Sequence, residues 1–314
     1  MTHRGCSQPL QRALVDFAAD VPFGQAREKL HEHYGVSLST STIRAITETH
    51  AQGCGRFRQG EPAWPSEDGT PALIAEIDGG MVPIVHSDVQ QDDRRKGKRL
   101  LWKEAKLCLA HAHGSATPVY GGTLLGGVDE AGREVRACAI AAGLGQRTQV
   151  HAVGDGAPWI ADQVAQQFGT QGHYLVDFFH VCDYLAPAAK VCAPEDPNAW
   201  LERQKARLKA NRSAAVLGDL LGAIESPSLP DEEAPVRLCH RYLHKRRAQL
   251  DYAGARGAGL PIGSGEIESA HRYVVQQRLK RPGAWWTPEN AEAMLALRLV
   301  RANDQWADYW QGLD

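Results

Sequence analysis

The chain of 314 residues has no uninterrupted apolar run near the ~18 residues that a membrane-spanning helix requires. Its seven cysteines are odd in number, scattered, and never spaced as CxxC, which excludes a disulfide framework or zinc ribbon and points to reduced thiols. An excess of either charge is also missing. Lys and Arg total 35 against 37 Asp and Glu, a formal charge of −2, so any affinity for nucleic acid must be local. The opening residues MTHRGCSQPLQRALVDF contain no apolar stretch leading to a small-residue cleavage site, so the expectation is a cytoplasmic protein. With 43% apolar and 23% charged residues, the composition is that of a globular protein. At ~150 residues per domain, the length suggests about two domains.

Residues 7–50 read as helical. Segments 25–34 and 39–50 are separated by Gly35, with Ser37, Ser39, Thr40 and Ser41 as N-cap choices. Helix, glycine turn and capped helix is the grammar of a helix-turn-helix, and equally of an ordinary helical hairpin. Residues 1–52 are expected to form this helix-turn-helix-like segment, and the Gly- and Pro-rich stretch 53–71 a linker. From Ala72 the pattern turns to strands. ALIAEI (72–77) and MVPIV (81–85) read as two strands joined by a tight turn at Asp78, Gly79 and Gly80. Further strands are expected at 102–113, 150–153 and 174–176, with a proline-started helix at 158–168. Residues 178–252 look helical, and a glycine-rich loop (254–265) leads to helices at 267–279 and 287–310.

Asp78 and Asp155 occupy the same situation, each ending an apolar strand and each followed by glycine. Ligands collect at strand ends in α/β sheets, and packing alone does not explain a carboxylate there. Two such groups side by side would repel unless a cation lay between them, a role that suits Mg²⁺. The competing reading is that each aspartate caps its own turn. Glu266 and Glu268 stand in the first turn of a helix, where the dipole favours acids in any case. The same helix continues through His271, Arg272, Arg278, Lys280 and Arg281, a face suited to phosphates. A second basic run, Arg94, Arg95, Lys96, Lys98 and Arg99, reads as a DNA-contacting loop or a solvated hairpin tip. Trp285 and Trp286 are expected in the core rather than stacked on a base, as are Trp306 and Trp310. The pairs His111/His113 and His240/His244 have metal-like spacing but no recognisable third ligand.

Together, IDGG (77–80), GDGAPWI (154–160), DFFH (177–180) and PIGSGEIES…RLKRPGAWW (261–286) resemble bacterial insertion-sequence transposases of the DDE type. They are most similar to the Kra-type group, related to the Mutator-like superfamily. The resemblance covers roughly residues 72–310 and implies a ribonuclease-H-like α/β domain, a mixed five-stranded sheet with a helical insertion at about 185–255. It implies that Asp78, Asp155 and Glu268 hold two Mg²⁺ (or Mn²⁺) ions, with Glu266 in a variable slot. Asp177 and His180 match the family's acid-x-x-His signature, and Trp159 the tryptophan after the second aspartate. It further implies metal-dependent cleavage and transfer of double-stranded DNA at terminal repeats by a homodimer or larger synaptic assembly, with Arg94, Arg95, Lys96, Lys98, Arg99, Arg278, Lys280 and Arg281 as DNA contacts. Members usually carry a longer N-terminal DNA-binding region. The alternatives are therefore an inactive or truncated DNA-binding derivative, and a ribonuclease-H-like nuclease.

Overall fold

Odd and even residues of the first strand face different partners, and that split organises the sheet. The computed structural model describes residues 5–60, 62–87 and 98–313. Its strands are β1 (Ala72–Ser87), β2 (Lys98–Ala112), β3 (Val119–Thr123), β4 (Gln149–Gly154) and β5 (Gly172–Val176). They form one mixed, open sheet in the order β3-β2-β1-β4-β5. β2 runs antiparallel to β1 and β3, whereas β1, β4 and β5 are parallel. Helix α4 (Val128–Ala141) leads from β3 to β4, and α5 (Pro158–Phe168) makes the crossover to β5. Leu73, Ala75 and Ile77 turn to these two helices and bury with Val135, Ile160, Val164 and Phe168. Ile74, Glu76 and Asp78 therefore point to the opposite face.

The expected turn at Asp78, Gly79 and Gly80 does not form. β1 is one continuous strand in which Gly79 and Gly80 pair with Lys106 and Ala105 of β2. Neither glycine has a positive φ, which the tight hairpin turn would need. The sheet still has five strands, because β3 makes up the number. Its sequence, VYGGT, hides the strand behind two glycines. Gly121 is there for close approach: a Cβ would lie 2.8 Å from Cys138 Sγ of α4.

After β5 the chain turns helical through α6 (Phe178–Cys192), α7 (Pro197–Lys209), α8 (Ser213–Leu221), α9 (Pro235–Lys245) and α10 (Tyr252–Gly257). These helices bury a core of their own around Val181, Leu185, Trp200, Leu208, Val236 and Leu243. α11 (Gly265–Ala270) continues as a π-helical turn (His271–Gln276) and α12 (Gln277–Leu279), followed by α13 (Pro288–Ala302) and α14 (Trp306–Gln311).

At the other end of the chain lie α1 (Gln8–Asp20), α2 (Phe23–Tyr34) and α3 (Thr40–Phe57). Gly35, at φ 65°, closes α2, and Ser39 Oγ caps α3 by accepting from Thr42 N–H at 3.1 Å. α3 runs past the expected linker start at 53. Its Ile43 and Ile46, with Leu14 of α1, share one core with Leu295 and Leu299 of α13 and Trp310 of α14. His50 lies 2.9 Å from both Tyr309 Oη and Gln11 Oε1. The first three helices are thus built into the C-terminal ones rather than standing apart. Among the described residues, no helix is long and apolar enough to cross a membrane.

Candidate active site

β1 and β4 run parallel with Glu76 beside Val153, so two residues further on Asp78, inside β1 just past its pairing with β4, and Asp155, just past the end of β4, come to the same face; the strand end expected at Asp78 is a point within β1. Asp78 is half-buried. Burial raises its pKa above the ordinary value, His271, the Gly79 N–H and His180 oppose that rise, and the Asp155 carboxylate adds to it. The two aspartates therefore sense each other as like charges. Asp155 also caps its turn, since its Oδ1 accepts from Ala157 N–H at 2.7 Å ahead of α5. Both readings of this aspartate, site acid and turn cap, fit the same side chain.

α11 lies across this face of the sheet. Its Ile267 N–H donates to Glu76 Oε2 at 2.8 Å. Glu76 is 1% exposed, and burial pushes its carboxyl up to about 8, with Glu266 and Asp177 adding to the rise and the Ile267 N–H opposing it. One turn on, the buried His271 sets Nε2 3.2 Å from the Asp78 carbonyl and 3.5 Å from its Oδ2. Gly80 makes room for this ring, because a Cβ would lie 2.7 Å from His271 Nδ1. The DGG motif is a close-approach device rather than a turn. His271 also begins the π-helical segment, an irregularity that often marks functional positions.

The geometry separates the two glutamates. Glu266 Oε2 lies 3.2 Å from His111 Nε2, at an angle short of a hydrogen bond. His111 is the β2 partner of Ile74, ~13 Å along β1 from Asp78 at the strand rise. Glu266 is thus drawn away from the aspartates. Glu268 is exposed and precedes His271 by three residues. Neighbours at that spacing share a helix face, so Glu268 lies on the same side of α11 as His271, and no contact with either aspartate is made among the described residues. Among the described residues, no group of three or more His, Cys, Asp or Glu is already gathered as a metal-binding set.

The chain matches no protein-family model and no curated protein.

Asp177 is a structural linchpin. Its Oδ1 accepts from Phe179 N–H (2.6 Å) and His180 N–H (3.1 Å), capping α6, while Oδ2 accepts from Ser264 N–H (2.7 Å) and Oγ (2.5 Å). His180 packs near Tyr184 and Tyr242, with ring centroids 5.7 and 6.0 Å away. Trp159 is half-buried against the core beneath α4 and α5. The histidine pairs find other uses: His113 Nε2 lies 3.1 Å from the Gly259 carbonyl, and His240 stacks on His244.

The basic residues divide. Arg94, Arg95 and Lys96 lie outside the described residues. Lys98 and Arg99 are exposed at the start of β2, with Lys98 Nζ 4.7 Å from the centre of the Trp285 ring. Lys280 is exposed, while Arg281 Nε donates to the Gln277 carbonyl at 2.6 Å. The expectation for Arg278 needs correction. It is 2% exposed, donates to the Ala18 carbonyl at 2.9 Å, and lies within 5 Å of the Phe23 and Trp286 rings, which leaves no surface for DNA. Trp285 is a second correction, 61% exposed where core packing was expected, while Trp286 is buried. Adjacent residues of an extended segment point to opposite faces, and Trp286 bridges Ile84 of β1. Glu76 and His271 were readable only as an acid inside an apolar strand and a histidine one turn after Glu268. Nothing local to Asp155 announces Tyr242 or Arg246, whose contacts with its turn are described below.

Proposed function

We propose that the chain is a DDE-type enzyme that cuts and transfers DNA strands, an insertion-sequence transposase on a ribonuclease-H-like sheet. The observation that carries this reading is that Asp78 and Asp155 come side by side where the parallel pairing of β1 and β4 ends, with the helix of Glu268 laid over the same face. The donor set suits a hard divalent cation: carboxylate oxygens close enough to repel, one of them desolvated. Asp78, Asp155 and Glu268 would hold two Mg²⁺ or Mn²⁺ ions, which when bound make a water nucleophilic and stabilise the departing 3′ oxygen of a phosphodiester.

The protein's own contribution is preorganisation. His271 Nε2 holds the Asp78 carbonyl and stands 3.5 Å from its carboxylate, and the Ala157 N–H holds one oxygen of Asp155. α11 is anchored by Ile267 on Glu76, and in this reading that anchor would hold Glu268 within reach of the aspartates. Lys98, Arg99 and Lys280 offer exposed cations to phosphates. Ser41, Thr42 and Arg44 on the outer face of α3 offer the surface that a helix-turn-helix presents to duplex DNA. Two DNA ends must be held together, so the working form in this reading is a homodimer or larger.

The test is Mg²⁺- or Mn²⁺-dependent cleavage of DNA carrying the element's own flanking repeats, comparing wild type with Asp155→Ala. Nicking at the repeat boundary that the substitution abolishes is the expected result. Binding without cleavage would move the assignment to a DNA-binding derivative, and cutting of RNA–DNA hybrids without end preference to a nuclease. Cleavage that survives Asp155→Ala refutes the proposal.

A further inference from the structure

Both carbonyls of the turn formed by Asp155 and Gly156 accept hydrogen bonds from the helical insertion. Tyr242 Oη on α9 donates to the Asp155 carbonyl at 2.5 Å, and Arg246 Nε, just past the end of α9, donates to the Gly156 carbonyl at 2.6 Å. The Gly156 N–H in turn donates to Tyr174 Oη of β5 at 2.9 Å. Tyr242 is itself held on both sides. Its ring stacks on Tyr184 of α6 at 4.0 Å and 14°, and the Arg246 guanidinium carbon lies 3.9 Å from its centre. Gly156 has φ +86°, and a Cβ there would stand 2.5 Å from Tyr242 Oη and 2.6 Å from Arg246 Nε, so this turn is closed to any side chain. Capping α5 requires none of this, because Asp155 Oδ1 already serves the Ala157 N–H. The added bonds fix the main chain from which the Asp155 side chain departs.

We propose that Tyr242 and Arg246 are positioning residues for Asp155, locking the turn that aims its carboxylate beside Asp78, so that the acid pair is complete only while the helical insertion is docked on the sheet. This rests on the carboxylate-pair reading above. Neither residue touches a carboxylate oxygen of Asp155; each acts through a main-chain carbonyl. Losing an outer partner of a ligand typically weakens metal affinity by ~10–100-fold.

The test uses the full chain as wild type, Tyr242→Phe, Arg246→Ala, Arg246→Lys and Asp155→Ala. Tyr242→Phe removes one oxygen and keeps the stacked ring. Two quantities are measured: amide hydrogen exchange across residues 154–158 without metal, and Mn²⁺ binding followed by electron paramagnetic resonance. Tyr242→Phe and Arg246→Ala should each speed exchange in the turn and weaken Mn²⁺ binding about 10-fold. Arg246→Lys, which keeps a donor, should recover part of both. Unchanged exchange overturns the proposal, and so does faster exchange with unchanged Mn²⁺ affinity, since the contacts would then serve the fold alone. Failure of the carboxylate-pair reading has a separate signature: Mn²⁺ binding is absent from wild type or survives in Asp155→Ala, and the proposal falls with it.

Discussion

Glu76→Gln should stabilise this protein at alkaline pH and do little at acid pH. Burial under α11 pushes the Glu76 carboxyl from its ordinary 4.5 to about 8. Below pH 4.5 the group is protonated in both the folded and the unfolded chain and contributes no pH dependence. Between 4.5 and about 8 the folded chain retains a proton that the unfolded chain has released, so stability falls as pH rises. Above about 8 both states are charged and the loss is complete. At ~1.4 kcal/mol per factor of ten in proton affinity, the full loss is roughly 5 kcal/mol. Glutamine keeps an oxygen to accept from the Ile267 N–H but has no charge to desolvate. Urea unfolding of both forms, in chelator, at about pH 5 and about pH 8.5 isolates the effect as a difference. The variant should be within about 1 kcal/mol of wild type at the lower pH and more stable by roughly 3–5 kcal/mol at the higher. A difference that is flat with pH, or that grows toward acid, would refute the reasoning.

Asp177→Ala removes the α6 cap and the link to Ser264 together, leaving buried donors without a partner; the expected loss is about 3 kcal/mol by urea unfolding, where asparagine should keep part of it. Arg278→Ala vacates the space between Phe23 and Trp286 and frees the Ala18 carbonyl, at a cost of about 2–4 kcal/mol, and it should lower the melting temperature without a specific effect on the salt dependence of DNA binding. Trp285→Ala should change stability by less than about 0.5 kcal/mol, whereas Trp286→Ala should cost about 3–5 kcal/mol; equal losses would contradict the assigned burial.

Signals that lie within a few residues were legible in the sequence. The glycine break at Gly35, an N-cap among Ser37, Ser39, Thr40 and Ser41, and the start and end of α5 follow from local rules; the structure makes Gly35 a left-handed cap of α2 and selects Ser39. Asp155 was read correctly just past the end of its strand, whereas Asp78, read as a strand end, lies inside β1, and the reason for the glycines after it was missed. A turn and a close approach both select glycine, and only distant partners distinguish them: Glu104 against Gly79, and His271, 191 residues away, against Gly80. β3 was hidden because Gly121 accommodates α4 and Gly122 lies against β2, and neither neighbour has a signal in VYGGT itself. The same limit applies to Tyr242, 87 residues from the carbonyl it holds. Partners of this kind are set by packing of the α9 layer against the sheet, and no periodicity within either segment encodes them.

One face of the sheet carries four acids, Glu76, Asp78, Asp155 and Asp177, and each must lose its charge or find compensation there. Glu76 keeps its proton. Asp177 spreads its charge over four donors on α6 and Ser264. Asp155 has the Ala157 N–H, and Asp78 has His271 and the Gly79 N–H against its burial and against Asp155. Compensation therefore weakens from Asp177 toward the Asp78–Asp155 pair, and a cation gains most at that pair. The protonated Glu76 has the opposite use. It accepts from the first turn of α11 without adding a charge beneath that helix, so α11 can lie on the sheet while repulsion is confined to Asp78 and Asp155. This division is why Glu76→Gln should keep the fold and Asp177→Ala should damage it, although both substitutions remove a buried carboxylate from the same face.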